Sequence, residues 1–497
     1  MIPFSDSRLF GEGSAVLEPR GGLLLVKNRI QPYSSPALRL TPASGGRTRY
    51  CLKLASSAQP VTLAVCHKLR YIHCSQEFIA YDTDEKVLVT DQSWVWLSGD
   101  FSFVPGLQEV TAYFIQDAGT PLCDIWVKEI VAEEIPPAQK PKAEISRQPF
   151  SVGAIRWDAY FSTEDIKSNV SRQVARALSP PKFHWRAPFF SKEEADGSLS
   201  FPPETQERFD TEAELAIAAG IDYFAYCWYR DNDPMSYARK RHAQSKYRDR
   251  IKMTAIVRVS GLDDETLAGL ARQMKEEYYL KFDGRPVLYV FDAVHADGAY
   301  RAHITRAAQS AGNPDPYYIG MNAQPQPYPV YKIEDMGFDA IGSYGFVSDR
   351  PGEPYASFAR RNEDMCRMRY SLQTRLDHVP LLCLGHDFRP RIENPVSWMT
   401  GKHYSLPASP EEIYRHAETI LRMHKEQEEN KPNTLLIYAW NEHDEGGWIC
   451  PTLTQAPDKG VDDGYYQALK RAVCTAKEQF KNSNAGGKTH SAAGISR

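Results

Sequence analysis

The chain has 497 residues, of which 42% are hydrophobic and 25% are charged, and its net charge is −4 at pH 7. This length exceeds that of one ordinary domain, so two or three domains are expected. The slightly negative charge gives no electrostatic support for a nucleic-acid partner or an anionic membrane surface. No apolar run is long enough to cross a bilayer, so we predict no membrane span.

The first residues, MIPFSDSRLFGEGSAV, lack the basic segment and apolar core of a secretory signal. As written, the sequence predicts a cytoplasmic protein, or a secreted or periplasmic one if a leader has been removed. The nine cysteines form no CxxC pair. Several lie inside apolar runs such as LAVCHKL, where a buried thiol is favoured over a disulfide. This pattern favours a reducing compartment.

The chain begins with a region that is rich in short alternating segments. Residues 1–135 contain TRYCLKLA, VTLAVCHKL and EVTAYFIQ, which are separated from one another by turn-forming residues. A period of two with regularly spaced turns predicts an antiparallel β-sandwich. Residues 136–150 are rich in proline and charge and predict a linker.

A different pattern covers residues 151–480, where eight apolar segments alternate with amphipathic helical segments. The strand candidates are VGAIRW, IDYFAYCW, KMTAIVRV, RPVLYVFD, YYIGMN, FDAIGSY, VPLLCLG and TLLIYAW. Eight strand–helix units predict a (β/α)8 TIM barrel. A doubly wound parallel sheet is the alternative, but no GxGxxG motif follows the first strand to favour it. Residues 481–497 contain many Gly and Ser residues and predict a disordered tail.

The segment YAWNEHDEGGWI follows the eighth strand, so it falls at the C-terminal mouth of the predicted barrel, where barrel enzymes carry their active sites. Glu442 and Glu445 are the candidate catalytic residues, because two carboxyl groups near one bond supply the acid and base of glycoside hydrolysis. Burial beside Trp448 and the negative charges of Glu442 and Asp444 lead us to expect a protonated Glu445 near neutral pH.

The other strand ends, and the insertion after the first strand, supply aromatic, amide and charged side chains. Aromatic faces stack on sugar rings while carboxylates and amides bind hydroxyl groups, so this set suits a carbohydrate substrate. The predicted substrate-binding residues are Trp157, Asp158, His184, Trp185, Tyr226, Trp228, Arg258, Asp292, Asn322, Tyr344, His386, Asp387, Trp440, Asn441 and Trp448.

Each of these residues has a structural alternative. The aromatic residues could pack, His386 could bind a carbonyl group or cap a helix, and Asp292 could cap the helix that follows it. No set of His, Cys and carboxylate residues has zinc-binding spacing, and neither a nucleophilic Ser elbow nor a P-loop is present. We therefore predict no metal and no cofactor.

The region from about 152 to 475 resembles glycoside hydrolase family 99 and its relatives from polysaccharide loci. WNEHDEG is similar to the family's Trp-Asn-Glu-x-x-Glu-Gly segment, and AGIDYFAYCWY, RPVLYVFD and LGHDFRPR are supporting matches. The resemblance implies a retaining glycosidase in which Glu445 is the general acid/base. It also implies that Glu442 assists the substrate's own 2-hydroxyl as an internal nucleophile.

One segment departs from this family. After the third strand the family has an acidic His-Ile-Glu-Pro-like segment, whereas this chain has IVRVSG and places Arg258 there. The resemblance therefore does not carry mannose specificity over, and an anionic or otherwise different sugar is open. The N-terminal sandwich is similar to a jelly-roll carbohydrate-binding module, with a purely structural domain as the alternative.

Together these features predict a glycoside hydrolase that acts on an oligo- or polysaccharide. A non-catalytic glycan-binding or polysaccharide-biosynthesis protein is one alternative, and a transglycosylase is another. We expect specificity to be set by the loops 181–203 and 388–408, which carry several aromatic and basic residues. The sugar and its anomer, endo or exo cleavage and the oligomeric state are not specified by the sequence.

Overall fold

The computed structural model describes the chain apart from residues 41–46, 74–75, 85, 92, 103–106, 118–119, 136–143, 163–168, 260–261, 297, 323–329, 373, 399–400, 454–463 and 487–497. The chain divides into two units. Unit 1 comprises Met1–Pro141, Gln326–Asp335 and Ser371–Thr374, and unit 2 comprises Lys142–Pro325, Met336–Tyr370 and Arg375–Arg497.

Unit 1 is built from two antiparallel sheets. Its strands are β1 (Leu9–Glu12), β2 (Val16–Arg20), β3 (Leu23–Lys27), β4 (Ser35–Leu40), β5 (Arg47–Ser56), β6 (Val61–His73), β7 (Gln76–Thr83), β8 (Val87–Val89), β9 (Val95–Ser102), β10 (Leu107–Gln116) and β11 (Ile125–Ile135). One sheet has the order β1-β4-β10-β6-β7 with β8 paired to β6, and the other has the order β2-β3-β11-β5-β9.

The two sheets share one apolar core. In β10, Val110, Ala112 and Phe114 are buried in this core, and Leu24 and Val26 of β3 enter it from the other sheet. Successive side chains of a strand point to opposite faces, so every second residue reaches the core. This arrangement confirms the predicted antiparallel β-sandwich.

Unit 2 contains the remaining strands. These are β12 (Ser151–Arg156), β13 (Lys192–Glu193), β14 (Leu199–Ser200), β15 (Tyr223–Cys227), β16 (Lys252–Arg258), β17 (Lys281–Phe282), β18 (Arg285–Phe291), β19 (Tyr317–Asn322), β20 (Ala340–Ser343), β21 (Pro351–Glu353), β22 (Asp377–His378), β23 (Leu381–Cys383), β24 (Tyr404–Ser405), β25 (Thr434–Tyr438), β26 (Asn441–Glu442) and β27 (Gly447–Trp448).

Helices alternate with the strands of unit 2, and α6 lies in a segment that belongs to unit 1. The α-helices are α1 (Val170–Leu178), α2 (Gln206–Ala218), α3 (Tyr237–Gln244), α4 (Asp264–Gln273), α5 (Gly298–Ser310), α6 (Val330–Asp335), α7 (Tyr355–Tyr370), α8 (Arg389–Glu393), α9 (Pro410–Lys425) and α10 (Gly464–Gly486). Short 3-10 helices span Pro181–Arg186, Pro234–Ser236 and Ala293–His295.

Several helices begin where the sequence supplies an N-cap. The Thr205 and Asp263 side chains accept hydrogen bonds from backbone N–H groups in the first turns of α2 and α4. Ser409 and Glu412 form a reciprocal capping box at the start of α9. Such caps satisfy backbone donors that have no partner within the helix.

The main sheet of unit 2 consists of parallel strands that close on themselves. Its order is β22-β20-β19-β18-β16-β15-β12-β25-β23, so the first strand β12 lies between β15 and β25. The segments β22 and β23 are two parts of one seventh strand, because β22 pairs with β20 while β23 pairs with β25. Pro380 lies between them and has no N–H to donate. The closed order confirms the predicted (β/α)8 barrel.

Polar side chains meet inside the barrel. The Tyr223 hydroxyl lies 2.9 Å from the Tyr289 hydroxyl and 3.0 Å from Thr434 Oγ1. A Cβ atom on Gly153 would lie 2.1 Å from the Tyr223 ring, so the bulky ring requires glycine on the neighbouring strand. Tyr223 and Tyr289 therefore mark the inward-facing side of their strands.

The predicted linker and tail fall partly outside the described residues, namely at 136–143 and 487–497. The second part of the linker is fixed to unit 2, where Ser146 Oγ donates to Asp283 (2.8 Å) and the Gln148 N–H donates to the Lys431 carbonyl (2.8 Å). Helix α10 ends at Gly486, so the start of the predicted disordered tail is helical. Over the described ranges, no helix is both long and apolar enough to cross a membrane.

Candidate active site

The segment after β25 forms a short hairpin at the C-terminal end of the barrel strands. Strand β26 pairs antiparallel with β27, which sets Asn441 opposite Trp448 and Glu442 opposite Gly447. Asn441 and Glu442 are both buried. The hairpin brings the two glutamates of the segment into the mouth of the barrel.

A glycine lets this hairpin contact the end of the seventh strand. Gly446 has a φ of 91°, and a Cβ atom there would lie 2.3 Å from the backbone nitrogen of Asp387. The Asp387 N–H donates to the Glu445 carbonyl at 2.7 Å. Glycine is needed because other residues are strained at this φ and have no room for a side chain.

Glu445 is held by a cation and a phenol. Its Oε1 atom accepts a hydrogen bond from Arg391 Nη1, and its Oε2 atom accepts one from the Tyr438 hydroxyl. Arg391 also donates through Nε to Asp444 Oδ2 at 2.6 Å. A guanidinium and a phenol that both donate to one carboxylate stabilise its ionised form. Both side-chain oxygens of Glu445 are therefore engaged by donors.

Glu442 lies in an opposite environment. It is only 1% exposed, its Oε1 atom accepts a hydrogen bond from the Tyr344 hydroxyl (3.1 Å), and its Oε2 atom has no partner among the described residues. Burial, followed by the charges of Glu445 and Asp444, raises the pKa of Glu442 well above its ordinary value, although Arg391 and Tyr344 oppose this. The surroundings of Glu442 thus favour its protonated form.

The sequence predicts a protonated Glu445 from its negative neighbours, and the structure adds a cation to that environment. This cation is Arg391, whose guanidinium lies against Glu445 and Asp444 rather than in solvent. Arg391 comes from α8, more than fifty residues before Glu445, so the sequence around Glu445 shows only its negative neighbours.

Aromatic rings surround Arg391. Its guanidinium carbon lies 5.3 Å from the centre of the Trp157 ring and 5.5 Å from that of Trp398. The two indoles pack edge to face, with their centres 5.9 Å apart, and Trp157 Nε1 donates to the Tyr229 hydroxyl (2.9 Å). These contacts restrict the orientation of Arg391 and place apolar ring surface beside Glu445.

Asn441 and Asp158 hold the first strand end against the hairpin. Asn441 Oδ1 accepts a hydrogen bond from the backbone N–H of Trp157 (3.0 Å), and Asn441 Nδ2 donates one to Asp158 Oδ1 (3.2 Å). Asp158 pairs in turn with the buried Arg156 at 2.7 Å. Both side chains are thus engaged in positioning Trp157 and the hairpin.

Four residues that were predicted to bind substrate contact other parts of the protein. Trp440 is fully buried and donates from Nε1 to Glu212 Oε2 (2.8 Å), while the Tyr226 hydroxyl lies 3.0 Å from His242 Nδ1 on α3. Trp448 is buried and stacks on His443, with ring centres 5.7 Å apart. Packing encloses these three side chains, and their contact with substrate stays a prediction.

The fourth is His386. It is buried, and its Nδ1 atom accepts a hydrogen bond from the Ser348 N–H (3.2 Å). Burial lowers the pKa of His386 to about 4, so its ring is neutral near pH 7. These contacts are consistent with the structural alternative for His386, and its contact with substrate stays a prediction. Its neighbour Asp387 is also engaged within the protein, by Arg186 Nη1 (3.0 Å) and Arg389 Nη2 (2.7 Å).

The remaining predicted residues are more accessible. Trp185 is 37% exposed and packs edge to face on Trp448, and His184 Nε2 lies 2.6 Å from the Ser179 carbonyl oxygen. Arg239 lies over the Trp228 ring at 3.9 Å. Three further predicted residues lie at the ends of the third, fourth and fifth barrel strands. Arg258 is exposed, and Asp292 has a left-handed backbone (φ 56°) but its side chain does not cap the next turn. The side chain of Asn322 lies outside the described part of the structure.

Tyr344 was predicted at the mouth, and it contacts the glutamates directly. Its hydroxyl lies 3.3 Å from Cys227 Sγ as well as bonding to Glu442, and its ring packs edge to face on Phe291 and Tyr438. Burial, followed by the neighbouring ionisable groups, raises the pKa of Tyr344 well above its ordinary value. The phenol therefore keeps its proton and acts as a donor to Glu442.

Sequence reasoning missed Tyr438 and considered Arg391 only as one of the residues of a specificity loop. The segment LGHDFRPR was noted only as a supporting match and as part of a specificity loop, although its second arginine after the seventh strand was a usable signal. Tyr438 lies inside the apolar run TLLIYAW and has the pattern of a core residue. Within the described part of the chain, no group of three or more His, Cys, Asp or Glu side chains is arranged to hold a metal ion.

No protein-family model and no curated protein sequence matches the chain. Among solved structures, it is similar to the GH99 endo-α-mannosidase from Bacteroides thetaiotaomicron, with 14% identity over 67% of this chain and 98% of that one, at a TM-score of 0.44. A "glycoside hydrolase-like protein" matches with 15% identity over 68% and 97% at 0.43. The CBM22-1–GH10 modules of a Clostridium thermocellum endo-xylanase match with 8% identity over 94% and 95% at 0.32.

Proposed function

We propose that this protein is a glycoside hydrolase whose acid and base are Glu442 and Glu445. The observation that carries the proposal is the opposite environment of the two carboxyl groups in one barrel mouth. Glu442 is buried with one unpartnered oxygen beside a phenol, and Glu445 is bound by Arg391 and Tyr438. A pair of carboxyl groups with divergent proton affinities is what acid–base cleavage of a glycosidic bond requires.

In this proposal Glu442 is the proton donor. Its proton passes to the glycosidic oxygen as the bond between that oxygen and the anomeric carbon breaks. Glu445 acts as the carboxylate that accepts the proton of the sugar's 2-hydroxyl while that oxygen attacks the anomeric carbon. Water then opens the intermediate and restores both carboxyl groups. These roles are the reverse of those that the family resemblance implies.

The indirect role of one carboxylate, through the substrate's own 2-hydroxyl, is what the resemblance to family 99 implies for this pair. A direct attack by Glu445 on the anomeric carbon, which would form a covalent ester, is the alternative.

The test is a screen of the purified protein against aryl glycosides and bacterial and plant polysaccharides, with release of reducing sugar as the readout. The Glu442→Gln and Glu445→Gln variants are compared with Glu429→Gln, which makes the same chemical change at an exposed position. We expect release by the wild type and by Glu429→Gln, and a loss of about 10²–10⁴-fold in each of the other two variants. Release that is unchanged in both site variants would refute the proposal.

A further inference from the structure

Arg258 points into the barrel mouth. Strand β18 faces the interior through Tyr289, whose hydroxyl meets that of Tyr223 on a neighbouring strand. Phe291 follows Tyr289 by two residues and so faces the same side, and Arg258 is its direct partner on the parallel strand β16. Register partners in a parallel pair share a face of the sheet. The side chain of Arg258 therefore lies on the inward face of its strand and not on the outer surface of the barrel.

The side chain of Arg258 is close to the groups that surround Glu442. Its guanidinium carbon lies 5.2 Å from the centre of the Phe291 ring, and that ring packs at 5.0 Å on Tyr344, the hydrogen-bond donor to Glu442. Burial is the main cause that raises the pKa of the Tyr229 phenol. The negative charge of Glu442 also raises this pKa, whereas the positive charge of Arg258 lowers it. Arg258 and Glu442 thus act on the same phenol and face the same part of the mouth.

Arg258 differs from the other arginines near the barrel mouth, because each of those forms an ion pair with an acidic side chain. Arg391 binds Asp444 and Glu445, Arg186 and Arg389 bind Asp387, and Arg156 binds Asp158. Arg258 is exposed, and no acidic group of the described residues forms an ion pair with it. A permanent positive charge that points into a binding site and has no internal partner is available to a ligand.

We propose that Arg258 binds an acidic oxygen group, a carboxylate or a sulfate, on a sugar unit next to the cleaved bond, so that the substrate is an acidic polysaccharide. This inference rests on the proposed glycosidase function of the same site. Contact with Phe291 holds the guanidinium in place through a cation–π interaction. The N–H groups along one edge of the guanidinium can then form two parallel hydrogen bonds with a planar carboxylate or with two sulfate oxygens.

The test uses pairs of polysaccharides that differ in charge alone. Pectate, alginate and glucuronoxylan are compared with their carboxyl-reduced forms, and carrageenan is compared with its desulfated form. Binding is measured on immobilised glycans, and cleavage is measured as reducing-sugar release. The variants are Arg258→Met, which removes the charge, and Arg258→Lys, which keeps the charge but not the two-pronged donor. Arg306→Met makes the same change on the exposed side of α5 and is the control.

We expect the wild type and Arg306→Met to prefer at least one charged form over its neutral form. Arg258→Met should lose that preference through a rise of about 10- to 100-fold in Kd and KM, the usual weight of a hydrogen bond to a charged group. The Kd and KM of Arg258→Lys for the charged form should lie between those of the wild type and those of Arg258→Met. The charged form that is preferred identifies a carboxylate or a sulfate as the ligand.

Equal binding of charged and neutral forms by the wild type, or an unchanged preference in Arg258→Met, would overturn the inference. The binding measurement does not depend on turnover, so it decides the role of Arg258 even if no glycan is cleaved. Failure of the proposed function appears separately, as reducing-sugar release that is absent or insensitive to the Glu442→Gln and Glu445→Gln variants.

Discussion

Arg391 and Glu445 form an ion pair inside the barrel mouth, in which the guanidinium Nη1 donates to the carboxylate Oε1. The same guanidinium binds Asp444, which is fully buried. One guanidinium thus binds two acidic side chains, whereas the second oxygen of Glu442 has no partner among the described residues.

Replacing Arg391 with methionine should destabilise the fold and abolish activity. Removing one partner of a buried ion pair leaves an uncompensated charge, and such changes cost about 3–5 kcal/mol. The loss of stability is measured as the difference in the free energy of unfolding between wild type and variant in urea titrations. Arg389→Met is the matched control, because Asp387 keeps Arg186 as a partner there. Equal stability of the two variants would contradict a compensating role for Arg391.

The stability of the Glu442→Gln variant should depend on pH in a defined direction. The folded pKa of Glu442 is raised, so the native state binds more protons than the unfolded chain, and the wild type loses stability as pH rises above the unfolded pKa of about 4.3. The loss is about 1.4 kcal/mol per pH unit until the native pKa is reached. Glutamine does not titrate, so the variant should gain stability relative to the wild type as pH rises above about 4.3.

Thermal unfolding of both proteins across this pH range checks that prediction. Glu429→Gln, at an exposed position, should show no such trend. A constant difference between wild type and Glu442→Gln at all pH values would mean that Glu442 ionises normally in the folded protein.

Tyr344→Phe should change the pH dependence of activity. The Tyr344 hydroxyl donates to Glu442 and lowers its pKa, so its loss should raise that pKa further. In the proposed mechanism Glu442 acts in its protonated form, so the decline of kcat/KM on the alkaline side should move to higher pH. Tyr438→Phe removes a donor to Glu445 instead, and it serves as the comparison. An alkaline decline that does not move in Tyr344→Phe would exclude Glu442 as the group that titrates there.

Trp440→Phe should affect stability and leave substrate affinity unchanged. The indole N–H of Trp440 satisfies Glu212 in a buried network, and leaving such a partner unpaired costs about 1–3 kcal/mol. Urea unfolding and KM measured side by side separate the two effects. Trp185→Phe, at a 37% exposed position, is the control for stability. A large rise in KM with unchanged stability would place Trp440 in the substrate-binding set.

Hydrolysis should proceed with retention of the anomeric configuration. Attack by the 2-hydroxyl inverts the anomeric carbon once, and water inverts it again. Proton NMR of the first-formed product, recorded before mutarotation, measures the outcome. An inverted first product would mean that water attacks directly, with Glu445 as its base.

Much of this architecture is contained in local sequence patterns. Alternation with a period of two identifies the sandwich strands, and apolar segments such as IDYFAYCW followed by amphipathic helices identify the barrel units. Their order alone places Glu442 and Glu445 at the mouth, because parallel barrel strands all end on one side. Tyr344 and Trp157 could be predicted there for the same reason.

The directions of individual side chains could not be predicted in this way. Barrel strands are apolar on both faces, so the sequence does not tell which alternate set points inward. Tyr226 follows the inward Tyr223 by three residues and therefore points to α3, where it meets His242. Arg391 reaches Glu445 through a contact between segments more than fifty residues apart, which no local pattern encodes.

The most direct test of the account compares the Glu442→Gln and Glu445→Gln variants on aryl glycosides with good and poor leaving groups. If Glu442 is the acid, its variant should lose about 10²–10⁴-fold on a poor leaving group and regain most activity on a dinitrophenyl glycoside, which needs no proton. Glu445→Gln should stay inactive on both. The reverse pattern would assign the acid to Glu445, and full activity of both variants on both substrates would contradict a catalytic role for this pair.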